Sequence, residues 1–214
     1  MAAARQGNAP MTEIRHIVFD IGRVLLHWDP ELPYRTLIPD DERRRWFLDT
    51  VCTGEWNKEQ DRGGRSWAEA EAELIQDFPE EEPLIRAYRA RWNEMVPHAY
   101  DDTVEILHAL IDGGHDVTML TNFNDETFAE AGTRFPFLNR ARGATVSAEV
   151  RLLKPDPAIY RHHETAFDLE PEAILFTDDS PANVAGAKAA GWNAVLFRDA
   201  AQLKSDLRSF GIGL

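Results

Sequence analysis

The chain has 214 residues, 43% apolar and 28% charged, which excludes a disordered polymer and allows one good-sized domain carrying an insertion. Its 23 basic and 37 acidic side chains leave a net charge of −14, which argues against nucleic acid as a partner because such binders need a basic face. The single cysteine, Cys52, excludes an intrachain disulfide and any CxxC zinc site.

Residues 1–12 are polar and Ala/Pro-containing, and they read as a loose tail in which Met11 is an alternative start. This segment lacks the apolar core of a signal peptide. No run approaches the roughly 18 consecutive apolar residues of a membrane span. A soluble, cytoplasmic chain with no membrane partner is expected.

Ile14–Asp20 reads as a short buried strand ending in an acid. Residues 30–97 then contain no convincing strand. Ser66-Trp67-Ala68-Glu69 is a capping box opening a helix. Leu84, Ile85, Tyr88, Trp92 and Met95 recur at helical spacing, and Pro79–Pro83 reads as a solvated loop and helix start. This stretch is expected to be a helical cap inserted after the first strand, with hinges at its ends.

Residues 13–29 and 98–214 form the expected core domain. Asp102-x-x-Glu105 resembles a capping box, and Gly113-Gly114 stops its helix. Val117–Leu120 is a second strand, ending in Thr121-Asn122. Pro157–Phe167 is a helix. Ala173–Thr177 is a third strand, ending in Asp178-Asp179. Ser180-Pro181 caps a helix ended by Gly191, and Ala194–Phe197 is a fourth strand. Short apolar runs alternating with helices predict an α/β fold, a Rossmann-like doubly wound parallel sheet. His98, His108, His115, His162 and His163 fit helix surfaces or turns.

In such sheets the ligand site lies beyond the carboxyl ends of the strands. Asp20, Thr121, Asp178 and Asp179 all fall there. Adjacent carboxylates repel unless a cation offsets them, so the three acids suit a hard ion such as Mg²⁺. Lys154, in Leu-Lys-Pro-Asp-Pro, would hold an ammonium near them.

The ordered motifs resemble the haloacid dehalogenase (HAD) superfamily, within it the phosphatases with a helical cap. Phe19-Asp20-Ile21-Gly22-Arg23-Val24 resembles the nucleophile loop, Leu120-Thr121-Asn122 the second motif, Lys154 the third, and Asp178-Asp179-Ser180-Pro181-Ala182-Asn183 the acidic fourth. The closest flavour is the glucose-1-phosphate phosphatase-like subgroup, and the phosphatase half of soluble epoxide hydrolases is similar too. Arg23 stands where that subgroup often has Asn.

The resemblance implies a Mg²⁺-dependent phosphatase of small phosphorylated metabolites, sugar phosphates foremost. Asp20 would be the nucleophile, and Thr121, Asn122 and Lys154 would hold the phosphoryl group. Asp20, the Gly22 carbonyl, and Asp178, Asp179 or both would hold the metal. Asn183 either orients an acid or merely sits in a helix's first turn. The assembly would be a monomer or homodimer.

One departure concerns position 22. Many relatives carry a second Asp there as general acid and base, whose help is worth about 10²–10⁴-fold. Gly22 removes it, so leaving groups needing little protonation are expected. His27 and Asp29 are candidate substitutes, or simply loop and hinge residues. Trp56 and Arg62, beside Gly63-Gly64, are candidate cap contacts to substrate, with cap packing and solvent exposure as their plain alternatives. A metal-independent 2-haloacid dehalogenase on the same fold, and a non-catalytic module binding a phosphorylated ligand, are the competing readings.

Overall fold

A computed structural model describes residues 13–214. The expected tail at 1–12, and the choice between Met1 and Met11, lie outside the described residues.

Strand β1 (His16–Phe19) is followed by the helices α1 (Glu31–Leu37), α2 (Asp41–Thr50), α3 (Gly54–Arg62), α4 (Trp67–Asp77), α5 (Glu82–Ala90) and α6 (Trp92–Met95). Then come α7 (Asp101–Asp112), β2 (Asp116–Thr121), α8 (Asp125–Arg134), β3 (Ala144–Val146), α9 (Ser147–Val150) and α10 (Pro157–Phe167). The chain closes with β4 (Ile174–Asp178), α11 (Pro181–Ala189), β5 (Asn193–Leu196) and α12 (Ala200–Ser209).

The five strands are parallel in the order β3-β2-β1-β4-β5. The chain builds outward from β1 to β3, then crosses to the other side of β1 for β4 and β5. The order therefore reverses between β1 and β4, and an open sheet binds its ligand at that switch point. His16 is in register with Asp116 on one side and Ile174 on the other.

Successive strand residues point to opposite faces. Ile17, Phe19, Met119 and Leu175 join one buried cluster, and Val18, Leu120, Ile174 and Phe176 the other. The first cluster continues into the helical insertion through Tyr34, Phe47, Trp67, Tyr88 and Trp92. The insertion and that face of the sheet thus share one apolar cluster.

Local signals act as the residues predict at three helix starts. Ser66 and Glu69 exchange both capping-box bonds at α4. Pro157 and Pro181 stand at the first position of α10 and α11, where a missing N–H costs nothing. The Asp102 reading is corrected: α7 starts at Asp101, and Asp102 accepts from the Thr103 N–H at 2.9 Å inside the first turn. A carboxylate there is favoured by the helix dipole without being the cap.

Strand β3, three residues long, is a fifth strand where four were expected. His163 is also corrected, because it is fully buried. Its Nε2 lies 3.0 Å from Thr118 Oγ1 and its Nδ1 2.8 Å from Thr145 Oγ1. It spans β2 and β3 beneath α10. No helix among the described residues is long and apolar enough to cross a membrane.

Candidate active site

The carboxyl ends of β1, β2 and β4 bring the predicted polar residues together. Asp20 follows β1 and Asp178 ends β4, so the two acids face each other across the switch point. Between them sits Lys154, buried, with Nζ 2.8 Å from Asp20 Oδ1 and 2.7 Å from Asp178 Oδ2. Its third proton goes to the Leu120 carbonyl at 2.9 Å.

Burial weakens any ammonium, but the two carboxylates outweigh it and hold Lys154 above its ordinary pKa. For Asp20 burial dominates and pushes the carboxyl up to about 7, against the pull of Lys154. One oxygen of Asp20 also accepts the Ile21 N–H at 2.7 Å.

Asn122 holds Lys154 from behind. Its Oδ1 accepts the Lys154 N–H at 2.8 Å, and its Nδ2 donates to the Lys154 carbonyl at 3.0 Å. This side-chain clamp could not be read from spacing. Thr121, one residue earlier, is buried at the end of β2.

Asp178 is fully buried and committed to internal partners. Besides Lys154 it accepts from the Ser180 N–H at 2.8 Å and from Asn183 Nδ2 at 3.0 and 3.1 Å. Asn183 therefore orients an acid, and its own carbonyl accepts from the Tyr160 hydroxyl at 2.8 Å. Asp179 differs: it stands at the cavity wall with Arg23 Nη1 3.9 Å away. Burial and Asp178 raise its pKa.

One carboxylate oxygen from each of Asp20, Asp178 and Asp179 lies within 4.8 Å of the others. Three hard oxygen donors this close together fit a small divalent cation such as Mg²⁺.

A cavity of about 360 Å³ opens above these groups, lined by Asp20, Gly22, Arg23, Asn122, Lys154 and Asp179. Its far wall comes from the helical insertion, with Asn57 and Asp61 of α3. A smaller aromatic pocket adjoins it, walled by Trp28, Trp67, Trp92 and Phe123. Gly22, Trp28, Asn57, Asp61 and Asn122 border both.

Asp61 was not among the expected site residues. Its Oδ2 accepts from Asn57 Nδ2 at 3.0 Å, and Asn57 Oδ1 accepts in turn from the Tyr88 hydroxyl at 3.1 Å. Burial pushes the Asp61 carboxyl up to about 8, against hydrogen bonds from the Asn124 backbone and Asn57, with Asp20 adding to the rise.

The backbone beside Asp61 is pinned to the core. Its carbonyl accepts from Ser147 Oγ, and the Gln60 carbonyl accepts from Asn124 Nδ2 at 3.2 Å. Asn124 Oδ1 accepts from Trp67 Nε1 at 3.0 Å while capping α8. The only local hint is a helix end at Arg62-Gly63, which draws attention one residue too late.

Trp56 and Arg62, expected to contact substrate, are placed elsewhere. Trp56 packs edge-on against Trp67 and Tyr88 within the insertion. Arg62 is exposed and pairs with Glu59 at 3.4 Å, because α3 turns that face outward. Asp29 caps the Glu31 N–H and pairs with Arg35, and His27 lies 3.2 Å from the Tyr100 hydroxyl.

Residues 14–191 match the family model of haloacid dehalogenase-like hydrolases. Over 98 residues the chain is 32% identical to (S)-2-haloacid dehalogenase 4A of Burkholderia cepacia. That match spans 45% of this chain and 42% of the relative, less than half of either. A HAD family enzyme of Bacteroides thetaiotaomicron, solved with magnesium and inorganic phosphate, shares the fold with a TM-score of 0.68 at 21% identity, covering 89% of this chain and 98% of that one. The L-2-haloacid dehalogenase of Xanthobacter autotrophicus, solved with chloropropionic acid covalently bound, has a TM-score of 0.63 at 17% identity, covering 94% and 85%.

Proposed function

This chain belongs to the haloacid dehalogenase-like hydrolase family, and from that premise we propose that it is a Mg²⁺-dependent phosphatase of small phosphomonoesters, sugar phosphates foremost. The observation that carries the reading is Asp179, a third carboxylate beside Asp20 and Asp178 with only Lys154 buried among them. Attack on a carbon–halogen bond has no use for it; a cation facing a phosphoryl group does.

Asp20, Asp179 and the Gly22 carbonyl would hold the ion, with Asp178 close enough to join them. When bound it screens the repulsion between the carboxylates and the incoming phosphate. Asp20 attacks phosphorus in line, the ester P–O bond breaks, and an aspartyl-phosphate forms on Asp20. Lys154, the Thr121 hydroxyl and the Asn122 backbone N–H stabilise charge on the phosphoryl oxygens. Water then attacks phosphorus, the bond to Asp20 breaks, and phosphate leaves. The aromatic pocket accepts the organic part of the ester.

A second reading has one observation in its favour. The likeness to a curated (S)-2-haloacid dehalogenase supports hydrolysis of 2-haloacids, with Asp20 attacking carbon and no cation required.

Phosphate release is measured from sugar phosphates, a nucleotide and an aryl phosphate, with Mg²⁺ and with EDTA. The expected outcome is release that EDTA abolishes and that D20N lowers by at least ~10³-fold. Halide release from 2-chloropropionate in EDTA, without phosphate release, replaces this reading with the second.

A further inference from the structure

Gly22 carries no side chain at the position where the family resemblance would put a general acid. A Cβ placed there meets nothing within 4 Å. The glycine is therefore not imposed by close packing. Gly22 borders the two adjoining pockets, and so does Asp61.

We propose that Asp61, reaching in from the insertion side of the cavity, is the proton donor to the leaving-group oxygen. The assignment rests on the phosphatase reading. It also revises the expected preference for leaving groups that need little protonation.

Two arrangements support it. First, Asp61 is held in place. Its own carbonyl is tied to Ser147, Gln60 to Asn124, and a Cβ at Gly63 would lie 2.4 Å from the Ala148 carbonyl oxygen. The end of α3 thus sits in backbone contact with the core, and a rigid mount is what a proton donor needs. Second, the Tyr88–Asn57–Asp61 chain of hydrogen bonds fixes the carboxyl's orientation. The other candidate donors near Gly22 have partners or roles of their own: Asp20 attacks, Asp178 is held by Lys154 and Asn183, Asp179 faces Arg23 and the cation site, Asp29 caps α1, and His27 lies against the Tyr100 hydroxyl. Burial raises the Asp61 carboxyl, toward the protonated state from which a general acid starts.

The proton balance closes over one turnover. As the ester P–O bond breaks, its oxygen keeps the electron pair and takes the Asp61 proton. Asp61 is then a carboxylate. In the second half it removes a proton from the attacking water as that oxygen bonds to phosphorus, which restores the acid.

The test compares wild type with D61N, in Mg²⁺, on 4-nitrophenyl phosphate and on a primary-alcohol sugar phosphate. Nitrophenolate leaves unaided; an alkoxide does not. The expected result is a kcat loss of about 10²–10⁴-fold on the sugar phosphate. The nitrophenyl ester should lose under about tenfold, and neither KM should move more than a few-fold. The nitrophenyl rate also reports that the variant is folded. Asp61→Glu, which keeps an acid on a longer arm, should recover at least about tenfold of the lost sugar-phosphate turnover. Equal losses on both esters, a change confined to KM, or no recovery in D61E would overturn the assignment alone. A wild-type protein that releases phosphate from neither ester overturns it together with the phosphatase reading.

Discussion

Lys154 meets opposing demands at the residue scale. Burial strips water from its ammonium, yet its removal would leave Asp20 and Asp178 facing each other without a cation. Breaking a buried pair by deleting one partner typically costs about 3–5 kcal/mol, mostly from the charge left behind. K154M should therefore lose about 3–5 kcal/mol in urea unfolding. A loss under about 1 kcal/mol would mean that the pairing does not organise the site. Arg23 makes a smaller compromise. It sits at φ 57, a left-handed conformation that Asn tolerates better than Arg, and in exchange it puts a cation near Asp179.

At the scale of elements, the decisive contact is the seat of α3 on α9. Gly63 adopts φ 73 and ψ −173, a region open only to glycine. A methyl group there would also collide with Ala148. At its neighbour Gly64, φ 94, a methyl group would find no atom nearer than 3.7 Å. G63A should thus destabilise by about 1–3 kcal/mol more than G64A, and thermal or urea unfolding of the two would check it. Equal effects would show that conformation, not contact, dominates. Elements with their own local signals were readable in advance. Val18-Phe19-Asp20 and Phe176-Thr177-Asp178 are apolar runs ending in acids, and Ser180-Pro181 marks its own helix start. Ala144–Val146 carries no such signal, because three residues hold no period and the strand exists only against β2. Asp61 was invisible for a related reason. It lies in the last turn of a polar helix, and its meaning comes from Gly22 and Ser147, which only the folded chain brings near.

The pH dependence of stability belongs to the whole molecule. Burial holds the His163 imidazole down at about 3, with His162 and Arg142 adding to the shift. Below the unfolded value of about 6.5, the unfolded chain binds a proton that the folded chain refuses. The contribution of His163 is therefore intact above that pH and drains away as pH falls, by about 2 kcal/mol at about pH 5. Asp20 and Asp61, raised above their unfolded values, slope the other way, so the difference between two proteins is the clean readout. The stability advantage of wild type over H163Q should shrink by about 2 kcal/mol between about pH 7.5 and about pH 5. An advantage that stays constant would contradict a neutral His163. The strand order has a consequence of another kind, in the timing of assembly. β1 lies at the centre of the sheet, and its partners are β2 and β4, with His16 opposite Asp116 and Ile174. A ribosome releases β1 early and β4 late. The nascent chain must therefore carry β1 without a strand partner until β2 follows the helices of the insertion, and with its other edge open until β4 emerges. Asp20 gains its counterpart Asp178 only once β4 has emerged, so the reactive centre is completed after β1, β2 and β3 have all been made.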